Sequence, residues 1–240
     1  SEPLLDGVLA QGLIARRVPA FAEGFLDQGF AIWKRVLAHM VLGPDELSRF
    51  YALPATGPRR EEWLLGRIAA KDAVRGWATL QHLLPACADI AIGYAAGGRP
   101  QATIAGLAEA PAISISHSRG HAVALVAPPG TRLGVDYQRL EHVKAELVAQ
   151  GGLNVTEQTL LDAQPAAQRA RHLIGLWCAK EAAAKAAGTG LEGRPLDWHA
   201  LGYDIIEASR AQCAISHAGQ TYIVQLHFIG NDEILAICLA

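Results

Sequence analysis

Two stretches of this chain read alike at a fixed separation, and that limits the folds open to it more than any other feature. Gly66-Arg-Ile-Ala-Ala-Lys71-Asp72-Ala and Gly175-Leu-Trp-Cys-Ala-Lys180-Glu181-Ala share a glycine, small residues and then Lys-acid-Ala, 109 positions apart. The same offset lays residues 113–117 on residues 222–226, strand text on strand text. Such repetition implies two halves of one design, dividing near residues 128–131. Residues 1–130 are then an N-terminal half, with 1–56 as a lead-in, and residues 131–240 a C-terminal half. Each reads as a long helix on a small antiparallel sheet, so the expected fold is α+β with two pseudo-symmetric halves. A cleft between such halves is a favoured place for a ligand.

The local signals fit this plan. Residues 175–190 are rich in Ala, Leu, Glu and Lys, and Gly188 and Gly190 supply a C-terminal stop. At four-residue spacing Trp177, Glu181 and Lys185 share one helix face. The amphipathic helix over 63–77 carries Arg67, Lys71 and Arg75 at the same spacing, a basic stripe that by itself reads as a solvated face. Alternation predicts strands at 90–94, 112–118, 121–127 and 133–136, and again around 203–206, 213–216, 222–228 and 234–239. A helix is expected over 139–150, and Asn154 with Glu157 has the spacing of a capping box that opens the next helix. Pro44-Asp45-Glu46 reads as another helix start, and Trp33, Phe50 and Tyr51 read as core.

Composition excludes several function classes. With 51% apolar residues among 240 the chain can bury a large core. No apolar run approaches the roughly 18 to 20 residues of a membrane span, and no basic start with an apolar centre marks a signal peptide. A net charge of −2 argues against bulk binding of nucleic acid, while local basic clusters remain able to hold a small polyanion. Cys87, Cys178, Cys213 and Cys238 show no disulfide or zinc spacing, which fits a reducing, cytoplasmic setting. The chain opens on Ser rather than Met, as a processed protein or an excised piece would.

The chemistry-bearing residues are two acids far apart in sequence, Asp136 at a strand end and Glu181 on a helix. A hard cation such as Mg²⁺ needs one or two carboxylates, with waters and substrate phosphates completing its shell. Lys180, Lys185, Lys71, Arg67 and Arg99, with His117, supply charge able to neutralise a pyrophosphate.

Gly134-Val135-Asp136 followed by Trp177-Cys-Ala-Lys180-Glu181-Ala-Ala-Ala-Lys185 resembles the paired signature of the Sfp-type 4′-phosphopantetheinyl transferases, G-[VI]-D-x-E and W-x-x-K-E-[AS]-x-x-K. Residues 114–118 (S-I-S-H-S), 98–100 (G-R-P) and Gly66-Arg67 stand in that family's order, and the resemblance covers roughly residues 57–240. Within the family, residues 63–75 look most like the transferase domains at the C-terminus of iterative polyketide and polyunsaturated fatty-acid synthases. The resemblance implies that a carrier-protein serine attacks the β-phosphate of coenzyme A, with Mg²⁺ as cofactor and 3′,5′-adenosine bisphosphate as product. It implies Asp136 and Glu181 as metal ligands, Glu181 as base, and Lys180 and Lys185 on the pyrophosphate. It implies Ser116, His117 and Arg99 against coenzyme A, and Arg67, Lys71, Arg59 and Arg60 near its 3′-phosphate. The implied partners are coenzyme A and an acyl carrier protein domain, with no nucleic acid and no membrane. The piece is expected to be monomeric alone, or part of a larger synthase.

One position departs from the signature. Two residues after Asp136, where the family pattern has an acid, stands Gln138, which can ligate through its amide oxygen but brings no charge. Mg²⁺ is therefore expected to bind more weakly than with Glu there. The same departure supports an alternative, a module of this fold that binds coenzyme A or a carrier without transfer. A serine hydrolase built on Ser116 or Ser118 with His117 is disfavoured, because neighbours on a strand point to opposite faces and no G-x-S-x-G elbow exists.

Overall fold

The computed structural model describes residues 1–5, 12–19, 21, 25–95, 97–140 and 152–240. The chain is α+β and divides into two compact units, Ser1–Thr131 and Arg132–Ala240.

In the first unit β1 (Glu2–Pro3) and β2 (Ile14–Val18) precede three helices, α1 (Gln28–Val41), α2 (Pro44–Ala52) and α3 (Arg59–Leu80). Strands β3 (Ile90–Tyr94), β4 (Pro100–Ile104), β5 (Ala112–Ser118) and β6 (His121–Ala127) follow. The sheet runs β1-β2-β6-β5-β4-β3, and its paired strands are antiparallel. One face of α3 packs on it: Leu65, Ala69, Ala73, Val74 and Trp77 meet Ile90, Ile92, Ile113, Ala124 and Val126. A second cluster joins Ala38, Leu42 and Phe50 to Leu64. The start of α1 is irregular, since Gly29, Phe30 and Ala31 lie in the left-handed region with φ of 58, 59 and 60°.

The second unit is built alike. Strand β7 (Leu133–Arg139) is followed by α4 (Val155–Asp162) and α5 (Arg169–Ala187). Strands β8 (His199–Glu207), β9 (Arg210–His217), β10 (Gln220–Ile229) and β11 (Glu233–Leu239) complete an antiparallel sheet of order β7-β11-β10-β9-β8. Leu176, Ala179, Ala182, Ala183 and Ala186 of α5 belong to one core with Ile215, Val224, Leu226 and Ala236 of that sheet. Gly188, at φ 87°, ends α5, and its N–H donates to the carbonyls of Ala184 and Lys185.

Several expectations are corrected. Residues 1–56 contribute two sheet strands as well as helices. Arg139 is the last residue of β7 rather than a helix start, and residues 141–150 of the expected helix lie outside the described residues. Phe50 is core at 1% exposure, whereas Trp33 and Tyr51 are exposed. The basic stripe is not a solvated face: Arg67 and Lys71 are buried while Arg75 is exposed. All four cysteines are free. Among the described residues no helix is long and apolar enough to cross a membrane.

Candidate active site

The site in the second unit starts from a missing side chain. A Cβ on Gly134 would stand 1.9 Å from the Ala182 carbonyl oxygen and 2.6 Å from the Ala186 nitrogen, so only glycine lets β7 lie this close to α5. Strand alternation then puts Asp136, two residues on, toward the same helix. Its carboxylate is 3% exposed and its Oδ1 accepts from Lys185 Nζ at 2.8 Å. Lys185 also donates to the Val135 carbonyl at 2.9 Å. The buried thiol of Cys178, one helical turn before Glu181, lies near enough to Asp136 to feel its charge.

Glu181 feels this cluster directly. Burial first, and then the charge of Asp136, hold its carboxyl above the ordinary carboxylate value, against the opposing pull of Lys185. Two carboxylates that repel each other in a partly dry place are what a divalent cation relieves, so the donor set fits a hard ion with room left for waters and phosphate. Gln138 is half-buried on the same strand face as Asp136 and is the position from which an amide oxygen would join them. Among the described residues no group of three or more His, Cys, Asp or Glu side chains is arranged to hold a metal. The Cys178 thiol, fully buried, is held well above its ordinary value by desolvation and then by Asp136, which leaves it a hydrogen-bond donor rather than a nucleophile.

The structure thus gathers Asp136, Glu181 and Lys185, with Gln138 alongside. It does not bring Lys180 to them. That ammonium has no exposed surface and donates to Glu157 Oε2 at 2.7 Å, the Gly152 carbonyl at 2.7 Å and the Pro195 carbonyl at 3.2 Å. An ammonium has three donors, and all are used. Lys71 is corrected for the same reason, being fully buried and bound to Glu46, the Val41 carbonyl and the Cys87 carbonyl.

The remaining candidates lie in the first unit. The Arg67 guanidinium, 2% exposed, sits 4.6 Å from the centre of the Trp63 ring and 5.1 Å from that of Tyr94, with Glu46 Oε1 at 3.8 Å. Arg60 closes the end of α2 by donating to the carbonyls of Tyr51 and Leu53, and Arg59 is exposed. Arg99 is half-buried in the turn between β3 and β4. On β5 the Ser116 side chain is buried and His117 is exposed beside Gly66, where an added Cβ would be 3.8 Å from the imidazole Cδ2. Their opposite faces leave no Ser–His couple for hydrolysis.

Sequence reasoning missed Glu157, Glu46 and Cys178. Both glutamates were visible as helix-start residues, but a capping role alone says nothing about a buried lysine arriving from elsewhere.

Strand β7, helix α5 and the acid pair between them fall within one stretch that a known family describes. Residues 132–238 match the 4′-phosphopantetheinyl transferase superfamily. The match takes in the second unit almost from end to end, including the Asp136, Glu181 and Lys185 cluster. Phosphopantetheinyl transfer is the general chemistry of that superfamily, coenzyme A its substrate and a divalent metal its usual companion, and this supports a phosphopantetheinyl transferase here. No curated protein matches the chain.

Proposed function

We propose that the chain transfers the 4′-phosphopantetheine arm of coenzyme A to a serine of an acyl or peptidyl carrier domain, as an Sfp-type transferase of the kind carried by large synthases. The observation that supports it most is the buried Asp136 carboxylate, held by Lys185, beside a Glu181 carboxyl that burial and then Asp136 hold above its ordinary value. Mg²⁺, held by Asp136 and Glu181, would neutralise pyrophosphate charge. Glu181 takes the proton of the attacking serine, directly or through water, and its raised carboxyl suits it to that work near neutral pH. The serine oxygen bonds to the β-phosphorus, the bridging P–O bond breaks, and 3′,5′-adenosine bisphosphate departs with the bonding pair. Lys185 offsets the charge growing on the leaving side. Arg67, Arg99, Ser116 and His117 stay in this proposal as coenzyme A contacts on the strength of the family resemblance, Ser116 through its backbone. Lys71 and Lys180 do not.

A second reading, a coenzyme A or carrier-binding module without transfer, draws support from the uncharged Gln138. Mass spectrometry of an apo carrier domain incubated with the protein, coenzyme A and Mg²⁺ separates them. The transferase reading expects the phosphopantetheine mass gain, abolished by chelator; coenzyme A binding with no gain on any carrier would leave the binding module.

A further inference from the structure

We infer that Lys180 is a positioning residue: paired with Glu157, it fixes the rotation of α5 so that Glu181 and Lys185 meet Asp136, and it holds no phosphate. The inference rests on the transfer proposed above for its catalytic meaning, and on buried geometry for its substance.

Glu157 ties three elements together. Its Oε2 accepts from the Asn154 N–H at 2.9 Å, closing the capping box of α4, and its Oε1 accepts from the Ala200 N–H of β8 at 2.8 Å. Lys180 brings α5 to the same carboxylate and reaches the carbonyls of Gly152 and Pro195 besides. Successive helical residues are about 100° apart around the axis. Pinning Lys180 on one flank therefore fixes where Glu181 points, while the backbone of Ala182 and Ala186 lies directly against Gly134 and sets how near the helix stands to β7.

The first unit contains the same device. Lys71, 109 residues before Lys180, is paired with Glu46 Oε2 at 2.5 Å. Glu46 Oε2 accepts from the Gly43 N–H that caps α2, and its Oε1 accepts from the Ile92 N–H of β3. The two carbonyls agree in place as well. Val41 and Gly152 each stand two residues before the cap, and Cys87 and Pro195 each stand five before the strand residue that donates to the glutamate. A device repeated on a helix that carries Gly76 where α5 carries Lys185 serves the packing of helix on sheet, and phosphate chemistry does not explain it. Were Lys180 to turn toward a phosphate, Glu157 would be left charged, buried and without its counter-ion.

The test compares wild type, Lys180→Met and Glu157→Gln/Lys180→Met. Gln at the third helical position keeps the capping box with its one amide oxygen, gives up the bond from the Ala200 N–H, and carries no charge to bury. Steady-state kinetics of carrier modification, thermal midpoints and hydrogen exchange of the Ala200 amide are read on all three. Lys180→Met is expected to lower kcat by about 10- to 100-fold through misplacement of Glu181. Its KM for coenzyme A should stay within about twofold of wild type, as for a residue that binds no substrate. Its midpoint should fall and Ala200 exchange should quicken. The double variant should regain part of the midpoint, because no buried charge is left stranded, and its KM for coenzyme A should stay within about twofold of wild type. A double variant whose midpoint rises above that of Lys180→Met but whose KM is raised about tenfold or more would overturn the inference. If wild type transfers to no carrier, calorimetry of coenzyme A binding decides on the same proteins: equal affinities uphold a positioning lysine and a tenfold loss overturns it, whatever becomes of the transfer reading.

Discussion

The two units share a scaffold and differ in what they do with it. Each sets a long, alanine-rich helix on an antiparallel sheet and ties it with a buried lysine to a glutamate that caps a neighbouring helix. At the positions of the acid site they part. Glu181 corresponds to Asp72 and Lys185 to Gly76, and the strand beside Gly76 offers Ile14 and Arg16 where the strand beside Lys185 offers Asp136. Asp72 accepts from Ser1 Oγ at 2.6 Å and has Arg75 at 3.9 Å, so its neighbours are a hydroxyl and a cation rather than a second carboxylate. The buried lysine and its capping glutamate recur in both units. Lys185 instead has a glycine at its place in the first unit, and Asp136 has Ile14 and Arg16 on the corresponding neighbouring strand, and the proposed transfer chemistry rests on that difference.

The largest expected effect breaks that comparison at the acid pair. Glu181→Gln or Asp136→Ala should lower the initial rate of carrier modification by about 10²- to 10⁴-fold, the range associated with a lost general base, with the thermal midpoint maintained. Next come the locks. Lys71→Met and Lys180→Met should each cost about 3–5 kcal/mol in denaturant unfolding, since each strands a buried carboxylate. A much smaller cost at one of them would show that the repeated geometry is not energetically repeated. The glycines sharpen the contrast. Gly134→Ala should cost about 3 kcal/mol or more, because backbone atoms of α5 occupy the space a Cβ needs. Gly76→Ala meets the Ile14 Cγ2 at 3.1 Å and gains helix propensity, so unfolding should find it within about 1 kcal/mol of wild type.

The smallest effect is a slope. With its carboxyl held above the ordinary value of 4.5, Glu181 in the folded chain keeps a proton that the unfolded chain has released. Stability without divalent cation should therefore fall as pH rises from that value through the raised one, and return as pH is lowered. Glu181→Gln should flatten this part of the stability–pH curve, measured in the presence of chelator.

The sequence exposes the acid site because its parts have a fixed and unusual spacing: a glycine two before Asp136, and Glu181 four before Lys185. It also exposes the strands of both sheets from β3 onward, where alternation is strong, apart from β4, which follows a Gly-Gly turn and opens on Pro100. Strand β2, I-A-R-R-V, was illegible because its buried residues, Ala15 and Val18, stand three apart on opposite faces of the strand and so leave no period-two pattern to read. Lys71 and Lys180 were misread for a different reason. A lysine at helical spacing looks the same whether it faces water or a buried carboxylate, and the carboxylate that decides arrives from 25 or 23 residues away. Cys178 could not be singled out, because its nearness to Asp136 depends on the close approach of β7 to α5 that Gly134 allows.

The most direct test sets the two corresponding acids side by side: the rate of phosphopantetheine transfer from coenzyme A to an apo carrier domain, with Mg²⁺, for Glu181→Gln and for Asp72→Asn. The account predicts that the first variant loses transfer while folded and that the second stays within about twofold of wild type. Full transfer by Glu181→Gln would contradict it.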